Sequence, residues 1–205
     1  MKNRKLRLSD IIFIVFIILF IVPQTRRPIL VMANKVRAKF SSLTVVAKGE
    51  QEQLGPFTYT LDGLDGENLN VDIGRGEVVF ISYWATWCPP CIAEFPSIDA
   101  LYKDYGDKIN FVMISNEDPE KIRKFLKKKN FAVPAVIPKM EPPKDLYEKT
   151  IPTNYIIDHT GKIIVKEKGA LDWNSQKVRK VLDDLIAKKE SDKKQKTLSL
   201  NKKGL

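Results

Sequence analysis

Val78-Val79-Phe80-Ile81-Ser82-Tyr83-Trp84 runs without a break into Ala85-Thr86-Trp87-Cys88-Pro89-Pro90-Cys91. Beyond the cysteines, Ile92, Phe95, Ile98, Leu101, Tyr102 and Tyr105 recur at helical spacing. The first stretch is apolar at nearly every position, rich in β-branched and aromatic residues and bounded by Gly76, which is the pattern of a strand buried on both faces. A strand of that kind needs cover above and below its sheet. The order strand, cysteine turn, helix therefore demands a layered α/β fold with the cysteines at a strand-to-helix junction.

The flanking segments extend this architecture. Residues 40–56 have no sustained period and read as a linker. Phe57 to Leu61 and Leu69 to Ile73 alternate apolar and polar residues around Asp62-Gly63 and Asp65-Gly66, which predicts a leading hairpin. Asn110 to Ser115 gives a second core strand. Asp118-Pro119 then supplies a cap and a first-turn proline for a helix carrying Ile122, Phe125 and Leu126. Ala132 to Ile137 reads as a short strand, followed by a proline-rich stretch and a brief helix around Lys144 to Lys149. Thr153 to Ile157 and Lys162 to Lys168, split by Asp158-His159-Thr160-Gly161, predict an antiparallel hairpin. A last helix starts near Asn174, presents Val178, Val181, Leu182, Leu185 and Ile186, and ends near Ala187. The fold class is thus α/β, a mixed central sheet with helices on both faces and an N-terminal hairpin extension.

The two cysteines are the only ones in 205 residues, and the chain has a single histidine, His159, in a polar turn. A disulfide-rich framework and a four-ligand zinc site are excluded. Cysteines three apart can bridge across a first helical turn. Cys88 is expected at the helix start, where unpaired N–H groups and the helix dipole favour a thiolate, so its pKa falls below the ordinary value of about 8.5. Cys88 is then the attacking thiol and Cys91, one turn in and less exposed, the resolving one. Pro89 suits an early helical position, and Pro90 stiffens the turn further. Trp84 reads as core packing, while Trp87 beside the nucleophile shapes the contact surface. Glu94, three residues past Cys91, shares its helix face and serves as proton acceptor and donor for it if partly buried. The alternative for Glu94 is an exposed acid favoured by the helix dipole.

Charge is distributed unevenly. The chain carries +10, but residues 1–39 hold nine Lys/Arg against one acid and residues 188–205 hold seven Lys against two acids, giving +8 and +5. The body between them is left at −3, which argues against a nucleic-acid face. Basic ends around an acidic body suit positions beside a membrane or in a solvated tail. Ile11 to Val22 is an unbroken apolar run of twelve residues behind Lys2, Arg4, Lys5 and Arg7, shorter than the roughly 20 residues of a spanning helix. A cleaved signal peptide shares this layout, but Pro23-Gln24-Thr25-Arg26-Arg27 offers no small-residue cleavage site. An uncleaved signal anchor is the preferred reading. Basic residues on both sides leave the orientation open by charge, and an oxidisable cysteine pair favours a body outside the cytoplasm. The expected organisation is a basic segment 1–10, a transmembrane anchor 11–23, a juxtamembrane linker 24–54, the folded domain 55–187 and a lysine-rich disordered tail 188–205.

At these residues the chain resembles the thioredoxin superfamily, and more closely its membrane-anchored extracytoplasmic branch of TlpA/ResA type, known for cytochrome c maturation and related disulfide reduction. The likeness spans roughly residues 55–187. It is carried by L-D-G-L-D-G-E, by V-V-F-I-S-Y-W-A-T-W-C-P-P-C-I-A-E-F-P and by I-P-T-N-Y-I-I-D-H-T-G-K-I. The resemblance implies that Cys88 and Cys91 form the redox disulfide and that Pro152, between Ile151 and Thr153, is a cis-proline facing the pair. It also implies that Glu94 is the active-site glutamate of the cytochrome-maturation branch. Trp87, Pro89, Pro90, Ile151, Pro152 and Thr153 then make up the substrate-contacting surface. Where cytoplasmic thioredoxin has a buried aspartate, this chain has Ser82, which moves the proton role to Glu94 or water.

The implied function is reduction of disulfides in partner proteins by the Cys88/Cys91 dithiol, on the periplasmic side of a bacterial inner membrane. The partners are a disulfide-containing protein, a membrane or thiol-protein electron donor and the bilayer itself, and no cofactor or metal is implied. Two alternatives stand beside it: a disulfide-forming oxidant or thiol peroxidase on the same fold, and a membrane-held binding domain with a structural disulfide.

Overall fold

The structure, a computed structural model, describes residues 7–203; the expected basic residues Lys2, Arg4 and Lys5 and tail residues 204 and 205 lie outside the described residues. Two helices, α1 (Leu8–Ile21) and α2 (Pro23–Phe40), precede the hairpin β1 (Phe57–Gly63) and β2 (Asn68–Ile73). There follow β3 (Val79–Tyr83), α3 (Pro89–Tyr105), β4 (Asn110–Ile114), α4 (Pro119–Lys129) and β5 (Ala135–Pro138). A short 3-10 turn at Lys144–Leu146, the hairpin β6 (Thr153–Ile157) and β7 (Ile163–Lys168), and α5 (Gln176–Lys203) complete the chain. One seven-stranded sheet has the order β2-β1-β5-β4-β3-β6-β7. Only β3, β4 and β5 run parallel to their neighbours in that group; the outer pairings are antiparallel. This is the expected thioredoxin-like α/β architecture.

Strand geometry sends alternate side chains to opposite faces. Phe80 and Trp84 join the core layer built from α3, α4, α5 and the segment before α5, including Phe95, Ile122, Trp173, Val178 and Leu182. Val79 and Ile81 join the other layer, closed by Leu54 and by Leu146 of the 3-10 turn. At α4 the Asp118 side chain caps the helix by accepting from the Lys121 N–H, and Pro119 takes the first position. The β6–β7 turn relies on Gly161: its φ is +92° and an added Cβ would fall 2.8 Å from the Leu54 carbonyl oxygen.

Three expected boundaries differ. The span expected over residues 11–23 is α1, whose 14 residues rise only about 21 Å, and among the described residues no helix is long and apolar enough to cross a membrane. The break at Val22 comes from Pro23, which biases the preceding residue to the extended conformation it adopts here, φ −75° and ψ 118°. The linker expected over 24–54 is ordered. Its first part is α2, which seats Ala38 with Ala93 and Ala170. Its second part bridges Val45 to Val165 and Gln53 to Lys162, because β7 is an edge strand with hydrogen-bonding groups to fill. The tail expected to be disordered from Lys188 continues α5 to Lys203. Its lysines are good helix formers, and three contacts hold it to the sheet end: Lys188 with Asp158, Lys189 with Glu77, and Asp192 with His159.

Candidate active site

The cysteine turn hangs between β3 and α3 and is anchored from the next strand. The Trp84 N–H donates to the Ile114 carbonyl at 3.0 Å, and Glu117 beyond β4 accepts from both the backbone N–H and the hydroxyl of Thr86 at 2.5 and 2.9 Å. These bonds fix where the chain turns back into α3. Cys88 is the N-cap, with Pro89 and Pro90 opening the helix, and its Sγ accepts from the Cys91 N–H at 3.3 Å. Cys88 and Cys91 are joined as a disulfide with Cα atoms 5.3 Å apart. A sulfur at the N-cap sits where helix N–H groups converge, so negative charge developing on Cys88 meets donors and dipole together.

Trp84 is buried and packs against Phe95 and Phe125 at ring distances of 4.5 and 5.6 Å. Trp87, by contrast, is 52% exposed. In this oxidised form Cys88 is itself 2% exposed and Cys91 fully covered, so the accessible Cys88 thiol expected from its place in the turn is not what the disulfide presents. The bridge ties Cys88 into the core layer with Trp84 and Phe95. The Ile151–Pro152 peptide is cis. Pro152 is buried and Ile151 half-buried. Antiparallel pairing of Tyr83 with Thr153 sets Pro152 at the sheet edge from which the cysteine turn departs. The Pro152 carbonyl accepts from the Gly169 N–H, and the Thr153 hydroxyl donates to the Thr150 carbonyl.

Glu94 is 1% exposed, which removes the surface-acid alternative. Its Oε1 accepts from Asn154 Nδ2 at 3.0 Å, and its Oε2 accepts from Trp173 Nε1 at 3.0 Å and the Leu171 N–H at 3.3 Å. Burial pushes its pKa up to about 8, against the pull of these three donors, which favour the charged form. A proton on Glu94 belongs on Oε1, the oxygen with only one donor. Asn154 Oδ1 and Ser82 Oγ are buried without partners among the described residues, and the two residues face each other across β3 and β6. Turning the Asn154 amide would offer Oδ1 to a protonated Glu94.

Asn154 and Trp173 were not among the residues singled out from sequence. Asn154 lies two positions past Pro152, and that nearness to the expected cis-proline is the signal that could have found it. Trp173 carries no local signal, because its partner is 79 positions earlier. A Trp173→Phe variant, which keeps an aromatic ring but removes the donor, should raise the Glu94 pKa further by about one unit. Following the Glu94 carboxyl infrared band against pH checks this; an unchanged midpoint would show that the indole N–H does not act on the carboxylate.

The sequence pattern of the AhpC/TSA family matches residues 56–166, just over half of the chain. The chain belongs to the AhpC/TSA family. Thioredoxin-like protein YneN of Bacillus subtilis is 33% identical over 119 residues, 56% of this chain and 70% of that protein. Thiol-disulfide oxidoreductase ResA of Halalkalibacterium halodurans is 27% identical over 135 residues, covering 64% of this chain and 74% of its relative. Among solved structures, a DsbF homologue from Corynebacterium diphtheriae aligns with a TM-score of 0.54 at 18% identity, over 71% of this chain and 94% of that one. At that identity the likeness concerns the fold. In this AhpC/TSA-family chain the Cys88–Cys91 pair is a redox dithiol in a thioredoxin-like frame.

Proposed function

We propose that this thiol–disulfide oxidoreductase works outside the cytoplasm and reduces disulfides of partner proteins. The observation that carries the reading is the bridged pair at the start of α3 with a buried carboxyl one turn behind it. In the reduced enzyme the Cys88 thiolate attacks one sulfur of the partner's disulfide, forming a mixed disulfide and releasing the partner's other sulfur as thiolate. Cys91 loses its proton and attacks Cys88 Sγ, so the bridge 88–91 forms and the second partner sulfur leaves reduced. Two electrons pass to the partner, and a membrane or thiol-protein donor restores the dithiol.

Glu94 is the proton acceptor for Cys91 in this scheme. A carboxyl raised to about 8 is a far stronger base than an ordinary carboxylate, as the acceptor of a thiol proton must be. Trp87, exposed beside Cys88, and the segment Ile151-Pro152-Thr153 are assigned to partner contact, with Pro89 and Pro90 shaping the turn between them. Cytochrome c maturation is the pathway the resemblance favours.

The front of the chain is assigned to the bilayer of a bacterial inner membrane, with the catalytic body on the periplasmic side. Leu8, Ile12, Phe13 and Phe16 of α1 are each more than half exposed, an apolar surface that lipid satisfies. Arg26, Arg27, Lys35, Arg37 and Lys39 on α2 suit anionic head groups beside it. Residues 55–187 make up the catalytic domain and 188–205 its basic extension.

The direction of electron flow is tested by equilibrating the purified domain with glutathione buffers. A reductant gives a potential clearly more negative than about −120 mV, the region of strong disulfide-forming oxidants. A value in that region would reverse the assigned direction, and rapid turnover of peroxide would favour the peroxidase alternative.

A further inference from the structure

A cleft of about 420 Å³ opens at the sheet edge that carries the cysteine turn, on the face away from α3. Tyr59, Tyr83, Ile114, Asn116, Met140 and Tyr147 line it, together with Glu148. Tyr83 ends β3 and leads directly into the redox turn, and Tyr147 and Glu148 stand on the segment that runs into cis-Pro152. The hydroxyls of Tyr59 and Tyr83 are both buried and interact with each other, and among the described residues neither has another hydrogen-bond partner. Tyr59 is wholly buried. One of the two can donate to the other, which leaves one O–H of the pair in need of an acceptor, since buried hydroxyls are normally satisfied.

The charged groups nearby are already used. Glu148 is paired with Lys166 and Lys168 at 3.2 and 2.9 Å and accepts from the Tyr155 hydroxyl at 3.3 Å. Lys139 is held by Asp62 and Asn68 at 3.2 and 2.7 Å. Lys139 and Glu141 are both exposed where they line the cleft, and with Lys139 already paired, Glu141 disfavours an acidic occupant. What remains is neutral: the interacting phenols and the Asn116 amide beside apolar side chains, with Met140 43% and Tyr147 51% exposed.

We infer that this cleft is a recognition pocket for the partner polypeptide, taking an apolar side chain near the cysteine under attack while the Tyr59–Tyr83 pair donates its free O–H to a backbone carbonyl oxygen of the same segment. The inference rests on the proposed reductase activity and names its substrate class: disulfides flanked by apolar residues. Continuity with the redox turn and the cis-proline segment is what favours a polypeptide, since a chain seated with its cysteine at Cys88 passes along this sheet edge. A carbonyl acceptor and a neighbouring apolar side chain are what consecutive residues of an extended segment provide.

The test compares two disulfide-linked synthetic peptides, one with Leu and Phe around the cysteine and one with Asp at the same positions, against 5,5′-dithiobis(2-nitrobenzoate) as a small reference disulfide. The wild-type enzyme should reduce the apolar peptide with kcat/KM about tenfold above the acidic one, the size of a modest recognition contact. In the Tyr59→Phe/Tyr83→Phe variant the ratio of apolar-peptide to reference kcat/KM should fall about tenfold, through KM. Equal use of the two peptides by wild type, or an unchanged ratio in the variant, would overturn the pocket. Should the variant fold poorly, a cysteine-free Ser analogue of the apolar peptide should inhibit the wild-type enzyme competitively, at about tenfold lower concentration than the acidic analogue, and equal inhibition would overturn the inference. Failure to reduce even the reference disulfide would instead remove the reductase reading beneath it.

Discussion

A Cys91→Ala variant, reduced and offered a protein disulfide, should turn over once and stop, with its partner covalently held on Cys88. Without the second thiol, no sulfur of the enzyme is placed to attack the mixed disulfide, so release must await an external thiol. Steady-state turnover should fall by about three orders of magnitude or more, as when one member of a concerted pair is deleted. The adduct is read by non-reducing electrophoresis and mass spectrometry of the linked peptide, and dithiothreitol should release it quantitatively. A Cys88→Ala variant should give no adduct. Adducts forming equally through Cys91 in that second variant would exchange the two assigned roles. Adducts through neither would leave the bridge a structural one.

Glu94→Gln should abolish a pH dependence that the wild-type protein shows in both stability and rate. The folded-state pKa of Glu94 is raised to about 8 from the ordinary 4.5. Between these values the folded chain holds a proton that the unfolded chain has released, so the stabilising contribution present at low pH is lost as pH rises toward 8. The slope approaches about 1.4 kcal/mol per pH unit, and the whole window is worth on the order of 5 kcal/mol. Urea midpoints of the oxidised protein, in which no thiol titrates, should therefore fall between pH 5 and 8 for wild type and fall less for the Gln variant; other titrating groups are common to both and cancel. Resolution of the mixed disulfide by Cys91 should accelerate through pH 8 in wild type as the carboxylate forms, whereas in the variant it should be slower there and rise only as the Cys91 thiol itself ionises. Parallel pH profiles in the two proteins would separate Glu94 from the proton transfer.

Local signals were legible where structure is decided locally. The alternation of Phe57 to Leu61 and Leu69 to Ile73, the cap and proline at Asp118-Pro119, and the run from Val78 to Trp84 each specify an element through its own period and end chemistry, and those elements form at those places. Elements whose order depends on docking were misjudged. Residues 24–54 read as a linker because their contacts, Ala38 on Ala93 and Val45 on Val165, lie far away in sequence. The tail beyond Ala187 read as solvated because its acids and lysines find Glu77, Asp158 and His159 only after the sheet has closed.

The redox pair was written in the chain itself. Two cysteines one helical turn apart, at the start of a helix that a preceding strand feeds, need only backbone geometry to bridge and to favour a thiolate at the first of them. The protonation of Glu94 was not written there. Its neighbours Asn154, Leu171 and Trp173 come from 60, 77 and 79 positions away, and both the dryness that raises its pKa and the donors that restrain it exist only once β6, α3 and the segment before α5 close around one carboxyl.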